Sequence, residues 1–96
     1  MTNHYECHIT FQISDRNKIE VLSGQYWKFS AIDGDPVLGA KTFCYLTAHD
    51  TDFEALKTHM KYMVEIAAGR GTPAVRCKIE QILYDSRWYQ KAEGKE

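Results

Sequence analysis

The sequence has few of the features that mark specialised classes of protein. Its 96 residues include three cysteines and two prolines, and the formal net charge is −1. Cys7, Cys44 and Cys77 lie far apart and form no Cys-x-x-Cys pair. This spacing indicates neither a disulfide framework nor a zinc motif. We therefore expect free thiols in a reducing, cytoplasmic setting.

Other absences narrow the choice of function. No apolar run is long enough for a transmembrane helix, and the first residues lack the basic and apolar regions of a signal peptide. A net charge near zero does not favour binding of the whole chain to nucleic acid or to an anionic membrane. No glycine-rich nucleotide motif is present, and we expect neither a metal nor a cofactor. The length predicts one domain, over residues 1–85, with a flexible tail at 86–96.

The clearest strand lies near the N-terminus. Apolar residues fall at every second position, and they are Tyr5, Cys7, Ile9, Phe11 and Ile13. Polar residues stand between them. This alternation is typical of a strand with one buried and one polar face, which we place at residues 4–13.

The elements that follow are predicted from local patterns. Ser14 as an N-cap favours a short helix ending near Leu22, although residues 18–22 would equally suit a short strand. Two further strands are predicted at residues 26–32 and 41–48. Between them, Asp33-Gly34-Asp35-Pro36 is a strong turn signal.

The longest helix follows. Thr51 to Glu54 reads as a capping box, with Thr51 as the N-cap. Apolar residues then recur at spacings of three and four, at Phe53, Leu56, Met60, Met63, Val64 and Ala67. Gly69 ends this helix. A last strand is predicted from residue 74 to about 84, with Val75 and Cys77 facing the core.

This order of elements is strand, helix, strand, strand, helix, strand. It predicts an α+β fold, a ferredoxin-like βαββαβ two-layer sandwich with an antiparallel four-stranded sheet. Right-handed crossovers would place both helices on one face of the sheet. The first strand would then lie centrally, beside the last.

The sheet face left open by the helices is the predicted site. Arg76 suits forked hydrogen bonding to phosphate, and a histidine can move a proton near neutral pH. We therefore predict a site for a small phosphate-containing anion or a nucleotide. The candidate catalytic residues are His8 and Thr10, and the candidate ligand-binding residues are Glu6, Lys28, Ser30, Thr47, Arg76, Lys78 and Glu80. His4 is also on this face, but roughly 13 Å along the strand from His8, too far to share a metal with it.

A non-catalytic use of the same face is the alternative. Open antiparallel sheet faces in water are ordinarily polar and charged. The chain would then be a homo-oligomeric or protein-interaction domain. In a homodimer, Tyr45 and Ile82 would be interface residues.

His8-Ile9-Thr10-Phe11 resembles the His-x-Thr-hydrophobic signature of the two-histidine phosphoesterase superfamily, which includes the RNA 2′,3′-cyclic phosphodiesterases. In that family two such motifs lie on central strands of a two-lobed sheet. The histidines act as acid and base on a phosphodiester, and the hydroxyls hold the phosphate. The second candidate, His49-Asp50-Thr51, departs from the signature because Asp52 replaces the hydrophobic residue. This chain is about one lobe long, so the resemblance implies a dimer that supplies a second His8.

Overall fold

The computed structural model describes residues 3–31 and 43–82. Its four strands are Tyr5–Gln12 (β1), Lys28–Ser30 (β2), Phe43–Asp50 (β3) and Arg76–Gln81 (β4), and its two α-helices are Arg16–Glu20 (α1) and Phe53–Gly69 (α2). The fold is therefore of the α+β class. Within the described residues, no helix is long and apolar enough to cross a membrane. The turn predicted at residues 33–36 and the tail predicted at 86–96 lie outside these residues.

The strands form one antiparallel sheet in the order β2-β3-β1-β4. β1 is central, and β4 is its neighbour. Ile9 of β1, for example, lies opposite Leu46 of β3 on one side and Cys77 of β4 on the other. Each outward residue of β1 therefore has outward neighbours on two strands, which is what brings the site together.

The core lies between the sheet and the helices. The buried residues of β1 and β3 are Cys7, Ile9, Phe11, Cys44, Leu46 and Ala48. Ile19 of α1 and Leu56 of α2 belong to the same cluster. Since both helices cover the face that carries these residues, the polar residues that alternate with them face solvent.

The predicted caps of both helices are wrong. Asp52, not Thr51, caps α2, because its Oδ1 accepts hydrogen bonds from the amides of Glu54 at 3.0 Å and Ala55 at 3.2 Å. β3 runs on to Asp50, two residues beyond its predicted end, so the helix begins one residue later than expected. Ser14 lies within a 3-10 turn, Ile13–Asp15, and α1 begins after it without a side-chain cap.

The predicted burial is wrong at the start of β4, although Ile79 of the same strand packs against the core. Val75 is 47% exposed, and Cys77 is exposed although both fall on the apolar phase of the strand. Among the described strands β4 is at the edge of the sheet, whereas α2 packs over β1 and β3. Phe53, the first of the apolar residues that recur at helical spacing, is 38% exposed and packs edge to face on Tyr5 at 5.4 Å.

The remaining elements are of the predicted type, but two of the strands are shorter. The segment that suited either a helix or a strand is helical, as α1. β2 and β4 are shorter than predicted, at three and six residues. α2 ends at Gly69 as predicted, and Gly71 follows with φ +82°, a left-handed conformation that favours glycine. The Thr72 hydroxyl and amide then both donate to the carbonyl of Ala67.

Candidate functional site

The open face of the sheet contains a pocket of about 270 Å³. All four strands contribute to its lining, which consists of His8, Thr10, Ser30, Tyr45, Thr47, Arg76 and Lys78. Strand pairing explains this grouping. Two rows of opposed residues cross the sheet, Lys78–His8–Thr47 and Arg76–Thr10–Tyr45. The pocket thus combines an imidazole, hydroxyls and two cations.

A chain of side-chain contacts runs along one side of this pocket. His8 Nδ1 lies 3.0 Å from the Thr47 hydroxyl, and His8 Nε2 lies 3.1 Å from Glu6 Oε1. The other oxygen of Glu6 is 3.2 Å from His49 Nε2. His49 Nδ1 is in turn 3.0 Å from His4 Nε2. One carboxylate therefore joins two imidazoles.

The proton positions in this chain follow from the carboxylate. An ionised Glu6 can only accept, so the Nε2 atoms of His8 and His49 must carry protons and donate to it. In a neutral ring, Nδ1 of His8 is then an acceptor, and the Thr47 hydroxyl donates to it. A carboxylate, an imidazole and a hydroxyl in series can orient a base and activate an oxygen nucleophile.

The two cations of the pocket differ in their environment. Lys78 Nζ lies 3.4 Å from Glu80 Oε2, in a pair whose side chains are 40% and 49% exposed. Solvent screening limits such a pair to about 1 kcal/mol. Arg76 makes no ion pair within residues 3–31 and 43–82. Both cations are therefore available to a bound anion at little cost.

Six of the nine predicted site residues line the pocket: His8, Thr10, Ser30, Thr47, Arg76 and Lys78. Glu6 and Glu80 lie beside it, in contact with His8 and Lys78. Lys28 is exposed and lies opposite Thr47, but it does not line the pocket.

His49 and His4 were not among the predicted site residues, although both join the contact chain. His49 is in phase with Tyr45 and Thr47 along β3. This alternation would have placed it on the open face, had the strand not been predicted to end at Ala48.

A second polar cluster lies where β3 meets α2. The Tyr26 hydroxyl donates to Asp50 Oδ2 at 2.7 Å, and Asp50 Oδ1 accepts from the amide of Asp52 at 2.9 Å. These two donors, the amide first, lower the pKa of Asp50. Burial and the Asp50 carboxylate raise the pKa of Tyr26, and the His59 ring packs on it at 4.4 Å. The contacts of Asp50 fix the start of α2, so we assign this cluster a structural role.

The chain was compared with known proteins. No protein-family model, curated protein or solved structure matches it. What the pocket binds is therefore inferred from its own chemistry.

Proposed function

We propose that the protein binds a small phosphate-containing anion in the pocket on the open sheet face. The observation that carries this proposal is the convergence of Arg76, Lys78 and His8 with hydroxyl groups in one pocket. The guanidinium of Arg76 can give two parallel hydrogen bonds to phosphate oxygens, and Lys78 adds a point charge. The hydroxyls of Thr10 and Ser30 can donate to the remaining oxygens.

The size of the pocket limits the size of the ligand it can enclose. Its volume of about 270 Å³ is slightly below the range of roughly 300–1,000 Å³ typical of sites that enclose drug-sized molecules. A phosphate group with a small organic substituent fits this space. A whole nucleotide would extend beyond it into solvent.

We further propose phosphoesterase-like chemistry at this site, because Glu6 orients His8. In phosphodiester hydrolysis a water oxygen would attack phosphorus while the bond to the leaving alcohol oxygen breaks. The water would give its proton to the Thr47 hydroxyl as that hydroxyl gives its own to His8 Nδ1, and bulk water at the open pocket would protonate the leaving oxygen. This chemistry is what the resemblance of His8 and Thr10 to the two-histidine signature implies, and His49 lies on the other side of Glu6 from His8. A second His8 from a dimer stays a prediction.

The fold and setting belong to the same proposal. The β2-β3-β1-β4 order, with all pairings antiparallel, supports a ferredoxin-like topology. Free thiols at Cys7, Cys44 and Cys77 support a cytoplasmic setting. The alternative of a homo-oligomeric or protein-interaction domain also stays a prediction. Phosphate binding by a protein that has the mass of a monomer in solution would favour the anion site over the oligomeric domain.

The test is calorimetric titration with inorganic phosphate and with a cyclic nucleotide, using wild type, Arg76→Ala and Arg70→Ala. Arg70 is an exposed arginine at the end of α2 and serves as the matched control. A charged hydrogen bond contributes about 1.5–3 kcal/mol. We therefore expect Arg76→Ala to weaken binding at least about tenfold, while Arg70→Ala leaves it unchanged. Absence of binding, or equal losses in the two variants, would refute the proposal.

A further inference from the structure

Three potential metal ligands converge beside the pocket. One ligand atom each from Glu6, His8 and Glu80 lie within 4.8 Å of one another. Glu6 of β1 lies directly opposite Glu80 of β4, and His8 is the next residue on the same face of β1. Strand pairing brings these residues together, so the spacing of residues within one element could not have predicted the cluster.

We propose that Glu6, His8 and Glu80 bind one divalent transition-metal ion of the zinc type. Zinc takes imidazole nitrogen and carboxylate oxygen at about 2.0–2.2 Å. Two ligands at a tetrahedral angle on one ion are then about 3.3 Å apart. His8 Nε2 and Glu6 Oε1 are 3.1 Å apart, so an ion can enter between them with little movement.

The surrounding contacts hold two of these ligands in place. A metal-bound histidine ordinarily donates its other ring N–H to a fixed acceptor, and the Thr47 hydroxyl lies 3.0 Å from His8 Nδ1. With an ion on Nε2, the proton of the neutral ring moves to Nδ1, and Thr47 becomes the acceptor. The second carboxylate oxygen of Glu6, Oε2, keeps its contact with His49 Nε2 at 3.2 Å.

The charges also balance. Two carboxylates neutralise a divalent cation, and the nitrogen ligand favours zinc over magnesium or calcium. Lys78 is the opposing group, since its ammonium lies 3.4 Å from Glu80 Oε2. The ion and Lys78 therefore compete for Glu80. Three protein ligands leave an open coordination position, as in catalytic zinc sites. Binding of the ion does not depend on the proposed anion function.

The test is calorimetric titration of the chelator-stripped full chain with Zn²⁺. We expect one ion per chain. We also expect Glu6→Gln, His8→Ala and Glu80→Gln each to weaken Zn²⁺ binding at least about tenfold. Loss of a residue that only hydrogen-bonds to a metal ligand already has an effect of about this size. Glu65→Gln and His59→Ala alter exposed residues of α2 and are the matched controls. Melting temperatures without zinc check that each variant is folded.

Lys78→Met separates this proposal from the previous one. Removing the ammonium should tighten Zn²⁺ binding, because Glu80 loses its competitor. The same substitution should weaken binding of phosphate in the absence of zinc, because the pocket loses a cation. Tighter zinc binding with unaltered phosphate binding would support the metal site and count against the role of Lys78 in the anion site.

Other outcomes would overturn the metal site. Binding that survives Glu80→Gln but is lost in His4→Ala would place the ion at the His4–His49 pair. Binding lost in Cys77→Ser would place it on the exposed thiol. No binding at all, or equal losses in the control variants, would refute it outright.

Discussion

At the scale of single residues, Glu6 organises the site. Its carboxylate is 21% exposed and contacts His8 and His49, whose side chains are 33% and 31% exposed. Partial burial strengthens such contacts relative to fully exposed ones. The same residue is a hydrogen-bond acceptor in the anion proposal and a ligand in the metal proposal. Its contact with His8 Nε2 therefore sets the tautomer of His8.

The three cysteines differ sharply in expected reactivity. Burial, and to a lesser extent Cys77, raises the pKa of Cys7 to about 12. Burial is also the largest cause that raises the pKa of Cys44. The thiolate is the reactive form, and Cys77 alone is exposed among these three. We predict that Ellman's reagent at pH 8 modifies one thiol rapidly in the folded protein and three in denaturant. The rapid thiol should be absent from Cys77→Ser. Two rapid thiols in the folded wild type would contradict the described burial.

At the scale of elements, the start of α2 allows a direct comparison of two neighbouring residues. Asp52 accepts from two helix amides, whereas Thr51 is exposed and lies outside the helix. We predict that Asp52→Ala lowers the free energy of unfolding by about 1 kcal/mol. Thr51→Ala should change it by less than about 0.5 kcal/mol. Urea unfolding measures both values. A larger loss of unfolding free energy for Thr51→Ala than for Asp52→Ala would support the capping box predicted from the sequence.

The elements also show what the sequence could and could not predict. The alternation in β1 predicted both its buried face and its open face, because a strand has a fixed period of two residues. Cys77 follows the same alternation but is exposed, since periodicity does not reveal which part of a sheet the helices cover. Asp52 and Thr51 are both good caps by residue type. The choice between them depends on where β3 ends, and the same misplaced end hid His49.

At the scale of the whole molecule, Asp50 links three segments. Its carboxylate accepts from Tyr26, which precedes β2, and from the amide of Asp52, which precedes α2. Both contacts lower the pKa of Asp50. A lowered pKa in the folded state stabilises the fold above the unfolded pKa of about 3.9. This contribution is lost as the pH falls through the folded pKa.

We therefore predict that Asp50→Asn is less stable than wild type at pH 6 and that the difference narrows as the pH falls below about 4. The measurement is urea unfolding of both proteins at a series of pH values. Asp15→Asn, on a half-buried aspartate before α1, serves as a comparison. A difference between wild type and Asp50→Asn that stays constant with pH would mean that the carboxylate acts through its shape and not through its charge.

The poorly covered inner side of β4 bears on how the site behaves over time. β4 is hydrogen-bonded to one strand, β1, in the described part of the chain, and both Val75, just before β4, and Cys77, within it, are exposed. Segments with few buried contacts open locally at a lower free energy than the core. Yet β4 carries Arg76 and Lys78, both cations of the pocket. A ligand held between β4 and β1 would hold β4 from its outer side, so the backbone amides of β4 would exchange with solvent more slowly. Binding of a ligand and suppression of local opening at β4 would then occur together.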